Sequence, residues 1–325
     1  MKLLIKVILL FLSAICIPGW KIVPLKQRRN QLHINRSFFS GPLKEGAVTV
    51  IIHGTKSSFF SRTVSNLEYP HGINPFNLIR TRSILSTIAH TLHTSCPKDF
   101  PLDSFYFYSW EGHLTFESRF QAAKKLYPIL RSHTGPLTII THSHGANVAL
   151  YLAHFAHLDN NKDFAIDRLI LLAPPIQEVT KPYACSNVFK EIYNLYSSAD
   201  FMQIADMQGL YPESYKYTAP TTKIPLFSER IFPPAPHILQ ARILLDGQSP
   251  SHLHFLLTQF IKQLPLLLDL TKQAARFSCT KNFCILNIPR GNQAPHYVHE
   301  SELKKNYIPR SQRDRITRLT PFKSY

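Results

Sequence analysis

Acidic residues are scarce in this chain. Its 325 residues carry 20 Asp and Glu against 37 Lys and Arg, a formal net charge of +17. An anionic partner is the natural complement of that excess, and a membrane surface, nucleic acid or the cell envelope would each supply one. Nucleic acid lacks a matching motif: there is no zinc-finger spacing, no Walker loop and no RNA-binding aromatic signature. No Cys-x-x-Cys occurs among the five cysteines, so neither a zinc ribbon nor a dithiol redox motif is indicated. No internal repeat is visible, which argues against a solenoid or propeller. No apolar run reaches the length of a comfortable transmembrane helix.

The longest apolar run, Val7 to Ile17, follows a short basic stretch, Met1 to Lys6. That is the composition of a signal peptide or N-terminal anchor over 1–17, and it predicts an exported or membrane-anchored protein. Ala14 and Cys16 are small residues suited to cleavage after Cys16; Ile15 stands where lipidation of Cys16 would want a small residue. Cys96, Cys185, Cys279 and Cys284 then allow two disulfides or free thiols, with Cys279 and Cys284 spaced to close a small loop. Residues 18–45 read as a basic lead-in, residues 46–272 as the folded domain, and 273–325 as an irregular basic tail. A proline- and aromatic-rich stretch, 206–236, is long for a loop and reads as a lid insertion. The tail offers a docking surface for anionic lipid.

Within the domain, apolar and β-branched runs predict strands at 47–52, 104–110, 137–141, 168–173, 188–196 and 238–245. Helical spacing predicts helices over 81–93, 117–131, 146–154 and 255–268, while 56–78 reads as a mobile loop at the site mouth. Strands alternating with helices imply an α/β fold, a mainly parallel sheet with helices on both faces.

One stretch carries most of the chemical information. The strand Leu137 to Thr141 must give way to the small-residue helix beginning at Ala146 within four residues, with Ser143 at the tip. Such a turn pushes a serine oxygen out of the sheet, and Gly145 lets the helix approach without a Cβ clash. The pattern G-x-S-x-G is matched at the serine and the second glycine, with Thr141 in the first glycine position. Upstream, the strand Ala47 to Ile52 ends in His53-Gly54-Thr55, a turn able to expose backbone N–H groups to a substrate oxygen.

On these residues, with Tyr196 to Gln203 and Ser251-His-Leu-His254, the chain resembles the α/β-hydrolase superfamily, and within it the lipase-like serine esterases. The resemblance spans roughly 46–268, and Trp110-Glu-Gly with Arg119 and Ala122-Ala123 is similar to a pattern of bacterial members. It implies a nucleophile, an acid and a histidine in that chain order. Ser143 takes the first place and Asp200 the second, with Asp206 as the other candidate acid. His252 takes the third, with His254 as the other candidate base. The oxyanion-hole N–H groups fall to Thr55 and His144. A metal held by His142, His144, His252 and His254 lacks a suitably spaced acidic partner, and no cofactor is expected. The implied activity is cleavage of a carboxylic ester, with a hydrophobic acyl ester as substrate. The alternatives on the same fold are a catalytically silent membrane-associated binding protein, a peptidase and an acyltransferase.

Overall fold

The computed structural model describes residues 42–55, 71–78, 84–200, 202–203, 231–277, 283–291 and 293–305, all within the compact unit Ser37–Tyr325. The leader, most of the lead-in, most of the 206–236 insertion, Asp206, Cys16, Cys279 and the tail beyond 305 lie outside them.

Nine strands form one sheet: β1 (Val48–Ile52), β2 (Gly72–Pro75), β3 (Phe105–Ser109), β4 (Leu137–His142), β5 (Arg168–Leu172), β6 (Ile192–Tyr196), β7 (Ile238–Leu245), β8 (Phe283–Ile288) and β9 (His296–Tyr297). Their order across the sheet is β2-β3-β1-β4-β5-β6-β7-β8-β9. Neighbours run parallel from β3 to β8, and only the outermost strands, β2 and β9, pair antiparallel. The expected mainly parallel sheet is therefore present.

Among the described residues five helices accompany it: α1 (Ile84–Ser95), α2 (Phe116–Arg131), α3 (Gly145–Leu158), α4 (Thr258–Phe277) and α5 (Glu300–Lys305). Alternation along β1 decides which core each residue joins. Val48, Val50 and Ile52 meet the α2 and α3 residues Ala123, Leu126, Val148 and Leu152. Ile51 points the other way, into the cluster with Leu85 and Leu92 of α1 and Leu264 and Leu267 of α4. Two apolar layers thus sandwich the sheet, as strands buried on both faces require. Eleven of the fourteen residues of α3 are buried, because it lies between the sheet and α2. That burial explains its run of alanines, since small side chains allow a close approach.

Several boundaries differ from the sequence reading. The domain does not end at 272: α4 continues to Phe277, and β8 extends the sheet beside β7. The apolar run Cys284-Ile-Leu with Ile288 is buried between β7 and β9, so part of the expected irregular tail is core. Cys284 is a buried free thiol, and Cys279, its expected partner, lies outside the described residues. Cys96 and Cys185 are free as well.

Within the stretch read as a mobile loop, Gly72–Pro75 is the edge strand β2, where a proline is tolerated because one side of the strand needs no ladder bond. The strand expected from 188 begins at Ile192, preceded by a 3-10 turn over Lys181–Cys185. The helix expected from 255 begins at Thr258, after a 3-10 turn over His252–Leu256. Phe232, at the described end of the insertion, is held by Gln240 of β7, which accepts from its N–H and donates to its carbonyl.

Among the described residues, no helix is long and apolar enough to cross a membrane.

Candidate active site

The carboxyl ends of β1, β4, β6 and β7 converge on one region of the sheet edge. At the end of β4, Ser143 takes φ 55, a left-handed conformation that costs a residue with a Cβ and marks a backbone held under strain. Two hydrogen bonds fix it there: its N–H donates to the Leu172 carbonyl, and its own carbonyl accepts from Ala146 N–H.

Both neighbouring glycines are required by close approach. A Cβ at Gly145 would lie 2.6 Å from the Ile52 carbonyl oxygen, so only glycine lets α3 start this near β1. A Cβ at Gly54 would lie 2.7 Å from Ser143 Cβ, which places the 53–55 turn directly against the serine. Thr141, at the other glycine position of the motif, is fully buried and its hydroxyl faces the Ile170 carbonyl on β5 at 3.5 Å. It sits inside the parallel ladder, where no left-handed backbone is needed, so the departure from the motif leaves the turn intact.

Asp200 follows β6 and is completely buried. Its two oxygens have separate work: Oδ1 accepts from Gln203 N–H at 3.1 Å in the manner of a helix cap, and Oδ2 meets His252 Nδ1 at 2.7 Å. An ionised carboxylate can only accept, so Nδ1 carries the proton and Nε2 is left with its lone pair. The loops bearing Asp200 and His252 are also joined through Ser198 and Ser249, whose hydroxyls are 2.9 Å apart.

His254, the other candidate base, is set apart from this pair. It is exposed, and its Nδ1 accepts from Ser251 N–H at 3.2 Å, closing the 3-10 turn that carries both histidines. The turn therefore directs His252 inward and His254 outward. Asp206, the other candidate acid, lies outside the described residues. Among the described residues, no three His, Cys, Asp or Glu side chains gather in a metal-binding arrangement.

His142 was read from the sequence as a neighbour of Ser143 and as one member of a disfavoured metal site. Its ring lies 4.6 Å from that of His252, and its Nε2 is 3.2 Å from the His252 carbonyl oxygen. Burial, with the proximity of His252 adding to it, pushes the His142 imidazole down to about 3.

His144, next after the serine, is buried and caps the fourteen-residue α3, whose N-terminal end thus faces the site. Its ring is 3.3 Å from Nδ2 of Asn147, a fully buried side chain that also donates to the Pro175 carbonyl. Thr180 completes the arrangement by donating its hydroxyl to Asn147 Oδ1.

On the other side of the serine, His53 is clamped by Trp110. The Trp110 backbone N–H donates to His53 Nε2 at 3.2 Å, and its indole N–H donates to the His53 carbonyl at 2.8 Å. Because His53 Nε2 accepts, Nδ1 carries the proton and donates to the Gly54 carbonyl at 2.6 Å. The two rings stack with centroids 5.6 Å apart. Thr55 follows, with its hydroxyl buried and making no hydrogen bond among the described residues.

Neither Asn147 nor the Trp110 clamp was read as part of the site. Trp110 had a weak signal, its place at the end of a strand expected to point the same way as β1.

The sheet order, the strained serine between β4 and α3, and the positions of Asp200 after β6 and His252 after β7 define an α/β-hydrolase fold. No protein-family model matches the chain, and no curated protein matches its sequence. Similar solved structures include an esterase of Pyrobaculum calidifontis, 12% identical with TM-score 0.31, covering 77% of this chain and 68% of that one. Another is the acyl-protein thioesterase 2 of Zea mays, 13% identical with TM-score 0.32, covering 71% and 96%. A fungal esterase of Rhizomucor miehei is 10% identical with TM-score 0.29, covering 77% and 67%.

Proposed function

We propose that this protein is a serine hydrolase that cleaves carboxylic esters through an acyl-enzyme on Ser143. The observation that carries the reading is the buried Asp200–His252 pair, 2.7 Å apart, on loops that converge on a serine held at φ 55. A serine hydroxyl is a weak nucleophile near neutral pH, and a neutral imidazole is the general base suited to it.

In this reading Ser143 Oγ attacks the ester carbonyl carbon while its proton passes to His252 Nε2. Asp200 holds the tautomer that leaves Nε2 free to accept and stabilises the imidazolium. The tetrahedral oxyanion is met by the backbone N–H groups of His144 and Thr55, each donor contributing about 3 kcal/mol. As the carbonyl reforms, the ester C–O bond breaks and the leaving alkoxide takes the proton from His252. Water then attacks the acyl-enzyme by the same route, returning the acid product and free Ser143.

Hydrophobic acyl esters are the substrate class the surroundings favour. Met202, Leu253 and Leu257 are 42%, 44% and 52% exposed on the loops that carry Asp200 and His252. Exposed apolar side chains on these loops suit an acyl chain better than a charged one. The basic sequence beyond 305 and the apolar leader support an exported enzyme working at an anionic membrane surface. Salt-sensitive binding to phosphatidylserine vesicles that disappears on deletion of 306–325 supports that setting; unchanged binding removes it.

Fluorophosphonate labelling tests the reaction itself. Covalent labelling of the wild type and none of Ser143→Ala is the expected result. A folded wild-type chain that stays unlabelled sinks the hydrolase reading and leaves a binding protein on a hydrolase fold.

A further inference from the structure

His142 precedes the reactive serine, yet its side chain is turned toward the base rather than the substrate. Its Nε2 lies 3.2 Å from the carbonyl oxygen of His252, a contact spanning 110 positions of sequence. A carbonyl has no proton to give, so His142 must donate, and its Nε2 must be protonated. The ring is also packed on the His252 imidazole, with centroids 4.6 Å apart and planes inclined by 52°.

The need for such a contact follows from how His252 is otherwise held. Asp200 grips one nitrogen of its ring, which fixes the tautomer and one direction of the imidazole. That bond alone leaves the ring free to pivot about the Nδ1–Oδ2 axis, and it does not fix the backbone of the 3-10 turn His252–Leu256 relative to β4. Among the described residues, the loop before the turn is tied at Ser249 to Ser198 beyond β6, at Gly247 to Asn287 of β8 and at Asp246 to Arg290, and none of these ties leads to the serine. His142 supplies the missing link, since its own backbone is the last residue of β4 and continuous with Ser143.

We infer that His142 is a positioning residue: its Nε2–H tether to the His252 carbonyl, with the ring packing beside it, holds the base in register with the Ser143 hydroxyl. This rests on the hydrolase reading above. Desolvation and the adjacent His252 imidazole both push the half-buried His142 ring toward its neutral form. A neutral donor can sit beside the imidazolium formed during attack without repelling it. A lysine or arginine in the same place would oppose that charge.

The test compares the full chain with Ser143→Ala, His142→Phe and His142→Gln, using a fluorophosphonate probe and p-nitrophenyl butyrate. Phenylalanine keeps the ring packing and removes the donor, whereas glutamine offers a donating amide at similar reach. His142→Phe is expected to lower kcat between about tenfold and a hundredfold, the range for a displaced catalytic group, with KM and Tm close to wild type. His142→Gln is expected to recover most of that loss.

Wild-type kcat in His142→Phe overturns the tether, as does a glutamine variant no better than phenylalanine at equal Tm. If the wild type itself is unlabelled, the hydrolase reading fails, and hydrogen exchange of amides 253–257 judges the tether alone. Faster exchange in the phenylalanine variant than in the glutamine variant then supports it, and equal exchange overturns it.

Discussion

Trp110 holds His53 from two directions, donating its backbone N–H to the imidazole and its indole N–H to the His53 carbonyl. The first bond selects the His53 tautomer, and that tautomer in turn donates to the Gly54 carbonyl. In a trans peptide the carbonyl and the following N–H point in opposite directions. Pinning the Gly54 carbonyl therefore fixes where the Thr55 N–H points.

Trp110→Phe tests this chain of bonds, since it keeps an aromatic ring and the backbone donor but removes the indole donor to the His53 carbonyl. Loss of a buried hydrogen bond costs about 1 kcal/mol, which urea unfolding would register. A fall in ester kcat beyond that of an equally destabilised distant variant is expected. Unchanged turnover would mean that the turn holds its shape without the indole.

The two glycines beside Ser143 should respond differently to a methyl group. In Gly145→Ala the new Cβ meets backbone oxygens of Ile52 and His53, at 2.6 and 2.8 Å, which move only with the sheet. Overpacking of that kind costs about 1–3 kcal/mol, and a lowered Tm is expected. In Gly54→Ala the nearest atom is Ser143 Cβ, so the larger effect should fall on activity, read as fluorophosphonate labelling rate against Tm.

The histidine pair 252 and 254 separates cleanly in the structure, and substitutions should separate them too. His252→Ala is expected to abolish labelling, whereas His254→Ala should leave the rate near wild type and cost the turn about 1 kcal/mol through its lost cap. Asp200→Asn keeps the shape but loses the carboxylate, and a drop in kcat of about 10⁴ is the scale set by a serine protease in which the same change was made. Labelling lost in His254→Ala at normal Tm would reverse the assignment of the base.

Away from the site, Asp167 ties strand ends together, accepting from Lys190 at 2.7 Å and from Leu137 N–H at 2.8 Å. Partial burial pushes its carboxyl up, but the bonds from Lys190 and Leu137 outweigh this and hold it below its ordinary value of 3.8. A carboxyl lowered by folding stabilises the protein in full above the unfolded value, and that contribution fades as pH falls through the folded one. Asp167→Asn should therefore be less stable than wild type near neutral pH and converge with it in acid. Parallel stability curves down to pH 2 would contradict the assignment.

Much of this arrangement was legible in the sequence because it depends on local pattern. A β-branched run followed by Gly145 and alanines specifies a strand, a tight turn and a closely packed helix, whatever surrounds them. The pairing of Asp200 with His252 was anticipated from chain order. The choice of His252 over His254 was not secure in the sequence, because it depends on which way a five-residue 3-10 turn faces. The Trp110 clamp spans 57 positions and pairs each side chain with the other residue's backbone, so no local pattern announces it. Strand β2 was hidden for another reason: Gly72-Ile-Asn-Pro75 has poor strand propensity, and only its pairing with β3 makes it extended. Strand β8 was missed because a short apolar run beyond the last recognised helix gives no periodicity to read.

The left-handed backbone at Ser143 has a consequence for how the fold tolerates losing its reactive residue. A glycine there sheds strain worth about 1–2 kcal/mol and returns about half of it as extra freedom of the unfolded chain. Ser143→Gly is thus expected to unfold no earlier than wild type, while Ser143→Val, bulkier at Cβ, should unfold well below it. Drift to glycine at this one position would meet no resistance from stability, so stability alone does not keep a serine there.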